Sequence, residues 1–334
     1  MRGLKPLAMG IALGLMVIGE CGWAADTMKL KLIFSTPYST NYTPFLVAKD
    51  LGYFQKAGLE VEETFVNGDA NATRAVITGA GDVALTGPVN VFTAVENGAQ
   101  IKSIGAWQPI PDYEVVAPPA IKSMRDLADK TFAASGPSGL PQVLPVMLFK
   151  KLGIPSDRVK FVSIGGHAAR LQTVIAGKAD AALVNSITAA TGVKNGTVHS
   201  VTSVAEHFPK LGYQALAVRT QDLADPAKRK AFEALMEGSM LGARFIMKDP
   251  DKAAAIVQAR VDSLDPALVK MVIKELTAQK LWGVNGGLDR DITDFTVKLA
   301  YDMGEIKTPL KHEQVVDDSI NDAVLKKLGK FQVP

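Results

Sequence analysis

The chain has 334 residues, a formal net charge of +3, 47% hydrophobic residues and one cysteine, Cys21. Such a length suggests about two domains, each able to bury a core of its own. The balanced charge, with no basic block interleaved with aromatics, leaves nucleic acid nothing to hold.

The first segment reads as a leader. Arg2 and Lys5 precede the apolar run LAMGIALGLMVIG from Leu7 to Gly19, and GWA ends at Ala24, the three-part layout of a secretory signal peptide over residues 1–24. The run is too short to span a bilayer. Cys21 raises a lipid-anchor reading, which is set aside because Glu20 stands where that cleavage wants a small residue. Removing the leader changes the charge to +2 and leaves no cysteine, so no disulfide, thiolate metal site or cysteine nucleophile is available.

From Lys29 the chain alternates between two patterns. KLKLIFST is an alternating strand, PYSTNY a polar loop, and TPFLVAKDLGYFQKAG a helix with Val47, Leu51 and Phe54 on one face. LEVEETFV, DVALTG and QIKSIGAW read as further strands, separated by the helices DANATRAVITG and PVNVFTAVENG. Strict alternation of strand and helix favours a parallel sheet with crossover helices.

The pattern then repeats. AVITGAGDVAL at 75–85 returns as TVIAGKADAAL at 173–183, and FQKAGLEVEETFVNG at 54–68 returns as FKKLGIPSDRVKFVSIGG at 149–166. Two collinear matches point to duplication. Gly79 and Gly177 are then helix stops, and Asp82 and Asp180 stand at strand starts. After Ala205 the alternation gives way to one strand, GYQALAVRT, and a helical tail. The proline-rich QPIPDY and APPA mark one crossing between lobes near 108–117, and a second is expected near 213–219. The organisation is an α/β chain of two lobes, each a mostly parallel sheet flanked by helices. Residues 27–112 and 218–334 form lobe one and 113–217 lobe two.

Ligands of open parallel sheets bind beyond the carboxyl ends of the strands. The candidate residues are therefore Thr36, Asn41, Thr86, Gly87, Ser135, Ser138, Gly139, His167 and Asn185, with Tyr38, Tyr42 and Trp107 as aromatic walls. Thr43, Thr86, Ser138 and Ser186 read as helix caps, so several helix N-termini would aim at one cleft and favour an anionic or strongly polar group. Each terminus contributes about 0.3 to 2 kcal/mol. Arg74 and Arg170 read as solvated helix faces. His199, His207 and His312 lack metal spacing, and neither a metal nor a cofactor is expected.

GYFQKAGLEVE followed by the VITGAGDVAL strand, with FLVAKDLGYF before it and SMRDLADKTFAAS opening the second lobe, resembles the periplasmic solute-binding proteins of ATP-binding-cassette (ABC) importers, type II fold. Within these the chain is similar to the nitrate, sulfonate and taurine branch, which also holds binders of thiamine-type pyrimidines. The resemblance implies two lobes joined by two hinge crossings, a monomer without catalysis, periplasmic location, and delivery of a small solute to a membrane permease and its ATPase. It places ligand loops at Ser35–Tyr42, Thr86–Pro88, Ser135–Gly139 and Asn185–Ser186. Pro141 and Pro145 depart from the pattern, since two prolines four apart suit one helix only near its first turn. An enzyme of the same fold, a pyrimidine synthase with a cysteine-rich motif, is the rival reading, and the exported chain has no cysteine to support it.

Overall fold

A computed structural model describes residues 27–134, 140–261 and 263–333. The expected leader and the candidates Ser135, Ser138 and Gly139 lie outside the described residues. In chain order the first group of elements is β1 (Met28–Phe34), α1 (Thr43–Asp50), α2 (Tyr53–Lys56), β2 (Leu59–Phe65), α3 (Asp69–Ile77), β3 (Val83–Thr86), α4 (Pro88–Glu96) and β4 (Ile101–Ser103). The second is β5 (Tyr113–Ala117), β6 (Thr131–Ala134), α5 (Leu140–Lys151), β7 (Lys160–Ser163), α6 (His167–Ile175), β8 (Ala181–Asn185), α7 (Ser186–Lys194), β9 (His199–Ser203) and α8 (Val204–His207). The tail holds β10 (Ala215–Arg219), α9 (Thr220–Leu223), α10 (Pro226–Lys248), α11 (Pro250–Gln258), α12 (Pro266–Ala278), α13 (Arg290–Asp302), α14 (His312–Val315) and α15 (Asp318–Leu328).

Two five-stranded sheets result, ordered β2-β1-β3-β10-β4 and β7-β6-β8-β5-β9. Each has one strand running against the rest. β10 lies antiparallel between β3 and β4, and β5 lies antiparallel between β8 and β9. Alternation alone predicts parallel strands throughout. The exceptions follow from topology, because a chain that crosses from one sheet's carboxyl rim to the other must enter the new sheet from that rim and run backwards. β5, within the expected crossing segment, is an added strand for this reason.

The repeat shows in detail. α3 and α6 each span nine residues and end before a glycine of positive φ, Gly79 at 79° and Gly177 at 66°. The Asp82 carboxylate accepts from the Lys31 amide at 2.8 Å, and Asp180 accepts from the Thr131 amide at the same distance. Each aspartate also donates its own amide to the carbonyl of the residue it clamps. A charge-assisted bond thus fixes the register of β3 on β1 and of β8 on β6.

α10 braces the first sheet. Its Gly238 and Gly242, four apart on one face, pack against Phe54 and the Pro44 carbonyl, where a Cβ would come within 2.5 Å and 2.1 Å. That close crossing fixes α1, and with it the loop that precedes α1. The tail does not belong to the first sheet alone: Leu299 of α13 is buried in the core under β5 and β6, and Lys194 of α7 pairs with Asp265 before α12. Pro145 lies inside α5, beyond its first turn, where a missing amide costs about 3 kcal/mol that packing must offset.

Candidate functional site

The carboxyl ends of both sheets face a shared cavity of about 260 Å³. Ser35, Thr36, Pro37, Ser39, Asn41 and Tyr42 reach it from the loop after β1, Asp69 from the start of α3, and Leu85, Thr86 and Gly87 from the end of β3. The opposite wall is built by Tyr113 at the start of β5, His167 at the start of α6 and Asn185 at the end of β8. Tyr213 and Gln214, in the second crossing, close it between the two. A wider cleft of about 800 Å³ adjoins it and shares Thr36, Asp69, Gly87, Tyr113 and Tyr213.

Seven of the predicted residues therefore meet in one place: Thr36, Asn41, Tyr42, Thr86, Gly87, His167 and Asn185. Two do not. Trp107 is 1% exposed and stacks on Phe45 at 5.0 Å between centroids; burial of a large ring behind Tyr42 outweighs its position at a strand end. Tyr38 is outside the lining and packs edge-on against Phe34 and Phe65.

The expected caps shift by one residue. The N-cap of α4 is Gly87, and that of α7 is Asn185, whose side chain accepts from the Thr188 amide at 3.3 Å. Thr86 instead shares a hydroxyl bond with Thr73 at 2.9 Å, Thr43 donates to the Thr40 carbonyl, and Ser186 donates to the Asp112 carbonyl at 2.9 Å. The hydroxyls that looked like caps thus tie the backbone together around the cavity. α3 and α6 follow Gly68 and Gly166 with no side-chain cap, so their first amides remain available; α4 begins with Pro88, which has no N–H, and the Gly87 amide before it faces Asp69.

The largest departure from expectation concerns Arg170. It is 2% exposed, and its Nε donates to the Leu183 carbonyl at 2.7 Å, its Nη1 to the Gly165 carbonyl at 2.5 Å. Its Nη2 lies 2.8 Å from His167 Nδ1, which also accepts from the Asn185 amide at 3.1 Å. Arginine only donates, so Nδ1 is an acceptor and the imidazole proton sits on Nε2. Burial, then the neighbouring Arg170 charge, pull the His167 pKa down to about 3, which keeps the ring neutral. Arg74 is on an exposed face as expected.

Sequence reasoning missed Asp69, Tyr113, Tyr213 and Gln214. Asp69 had a signal: carrying the 98-residue repeat offset back from His167 lands on it. Burial raises its carboxyl, against the opposing effects of the Ser35 hydroxyl and the Gly87 amide. Burial also pushes the Tyr42 hydroxyl up to about 12 and raises those of Tyr113 and Tyr213 as well, so all three are neutral phenols. Tyr213 meets Tyr113 edge-on at 5.4 Å, and Tyr113 lies 5.6 Å from the His167 ring. At the first crossing, Asp112 accepts from Ser186 through its carbonyl while its buried carboxylate has no partner among the described residues; burial raises its pKa. No metal-binding group of three or more His, Cys, Asp or Glu is found among the described residues, and none of their helices is long and apolar enough to cross a membrane.

Two mixed α/β sheets whose carboxyl rims share one cavity, linked by two crossings, define the periplasmic binding protein fold. Residues 39–253 match the family model described as NMT1/THI5 like, and the chain belongs to that family. Solved structures share the fold at low identity. The periplasmic nitrate-binding protein NrtA from Synechocystis PCC 6803 is 13% identical, with a TM-score of 0.71 over 92% of this chain and 91% of that one. The alkanesulfonate-binding protein SsuA from Xanthomonas axonopodis pv. citri, bound to MOPS, is 15% identical, with a TM-score of 0.66 over 88% and 99%. A ligand-binding component of an ABC-type import system from Staphylococcus aureus, with zinc bound, is 15% identical, with a TM-score of 0.72 over 89% and 99%. No curated protein sequence matches the chain.

Proposed function

We propose that this protein is the extracytoplasmic solute-binding component of an ABC importer, exported to the periplasm by its leader. It acts as a monomer, without catalysis, and delivers a small polar or anionic organic solute of sulfonate, taurine, nitrate or carboxylate type to a membrane permease and its ATPase. Residues 27–112 and 218–334 form one lobe, and 113–217 the other. Thr36, Asn41, Tyr42, Thr86, Gly87, His167 and Asn185 contact the solute, alongside Asp69, Tyr113 and Tyr213.

One observation carries this reading: the cavity is walled by residues from both sheets and closed by the second crossing. A solute that touches both walls favours the closed arrangement by its differential affinity for it. Free amides at the starts of α3 and α6 supply donors for a polar group without a lysine or arginine among the described lining residues. A thiamine-type pyrimidine is the second reading, favoured by the neutral phenols and the Asp69 carboxyl that line the cavity.

Thermal-shift titration with nitrate, alkanesulfonates, taurine, aromatic carboxylates and pyrimidines tests both readings, because a ligand bound to the native state raises Tm by mass action. The first reading expects an anion to raise Tm by several degrees and small-angle scattering to show compaction at saturation. A response to pyrimidines alone moves the assignment to the second reading, and binding without compaction contradicts closure.

A further inference from the structure

The two walls of the cavity carry opposite electrostatic character, and they do so at one equivalent position of the repeat. On the first wall stands Asp69. It is the one charged side chain among the described residues that line the cavity. The Asp69 carboxylate sits against the Ser35 hydroxyl and the Gly87 amide and forms no ion pair with a described residue. The other described groups lining the cavity are uncharged, the phenols of Tyr42, Tyr113 and Tyr213 among them, and Arg74 and Glu305 lie in the adjoining wider cleft. An ionised carboxylate in such a place wants a hydrogen-bonding cation or an N–H donor.

On the second wall, 98 residues on, stands His167. Two donors, the Asn185 amide and the Arg170 guanidinium, occupy Nδ1. What the imidazole offers a guest is therefore an Nε2–H donor. Behind it the Arg170 charge is buried among carbonyl oxygens, with no carboxylate partner among the described residues, and the uncapped start of α6 adds its amides. This wall favours an acceptor or a negative charge.

We propose, resting on the solute-binding reading above, that the cavity selects a dipolar solute. One end of the guest carries a hydrogen-donating nitrogen, amino or ammonium, that binds Asp69. The other end carries an anionic or ring-nitrogen acceptor that binds His167 Nε2–H and the start of α6. Arg170 is a positioning residue: it holds the histidine in its donor tautomer without touching the guest. A plain anion lacking the nitrogen meets like charge at Asp69 and binds more weakly, so the same pair of residues orients the aminated guest and discriminates against the plain anion.

The test is calorimetric titration of the full mature chain at neutral pH with three matched pairs: taurine against ethanesulfonate, β-alanine against propionate, and 4-aminopyrimidine against pyrimidine. In at least one pair the aminated member should bind at least tenfold tighter. Asp69→Asn, an isosteric change, should bring that ratio to within about threefold while leaving the affinity for the deaminated member unchanged or improved. His167→Phe should weaken both members of the pair alike. Deaminated probes that bind as tightly as their partners overturn the inference while the solute-binding reading stands, and so does a preference that survives in Asp69→Asn. If no probe of any pair binds, the dipolar inference falls, while the solute-binding reading stands or falls with nitrate and the aromatic carboxylates of the wider thermal-shift titration.

Discussion

At the amino ends of β3 and β8, Asp82 and Asp180 make the same clamp to the neighbouring strand at the same distance. At the opposite ends of the sheets, the equivalent residues of the repeat, Asp69 and His167, are an acid and a neutral base that share no role. The sheets need the clamp in both lobes, since slipping a strand by one residue turns its side chains to the wrong face. The cavity needs two unlike walls. Duplication has kept what the fold requires and released what the guest requires.

The largest effect we expect separates the two walls. Arg170→Leu removes the donors that satisfy two carbonyls and His167 Nδ1 inside the second lobe, and should lower unfolding free energy by about 3 kcal/mol. Arg74→Leu, on the exposed face of the matching helix, should stay within about 0.5 kcal/mol. Urea unfolding measures both, and equal losses would erase the distinction.

Acid sharpens the comparison next. His167 has a folded pKa of about 3 against about 6.5 when unfolded, so below pH 6.5 the unfolded chain binds the extra proton and stability falls as pH drops. Its share of that loss should reach about 2 kcal/mol by pH 5. Wild type and His167→Gln, compared by denaturant unfolding from pH 7.5 to 5, should diverge by that amount; parallel curves would mean the ring titrates normally.

The clamps themselves are unequal. Asp82 also pairs with Lys228 and Arg219, whereas Asp180 has no ion pair among the described residues. Asp82→Ala should therefore cost about 2 kcal/mol and Asp180→Ala about 1 kcal/mol. A reversed order in thermal melts would argue that the added pairs contribute nothing.

The smallest effect has the opposite sign. Burial raises the Asp69 pKa, so the folded chain holds that proton more tightly than the unfolded one, and stability falls as pH rises through the shifted range. Asp69→Asn should thus stabilise the protein by under about 1 kcal/mol at pH 7 and give no gain at pH 3. Loss of stability at pH 7 would show that the carboxylate is a structural anchor.

Much of this was legible in the chain itself. The repeat, the stop glycines and the strand-helix alternation follow from local periodicity, which a sequence displays directly. The antiparallel strands β5 and β10 were not, because their direction is imposed by where the chain crosses between lobes. The rim loops led to Thr36, Thr86, His167 and Asn185, which line the cavity, yet Trp107 went to the core, since ring size says nothing about which side of Tyr42 it packs. Arg170 reads as a surface residue on its helix; only the tertiary carbonyls of Gly165 and Leu183 make its burial tolerable.

The account rests on one guest bridging two walls. Hydrogen exchange, run with and without the probe that raises Tm most, addresses it directly. Protection should rise together in the segments around 35–42 and 85–88 on one side and 165–167 and 185–188 on the other. Protection confined to a single lobe, or found only outside these segments, would contradict it.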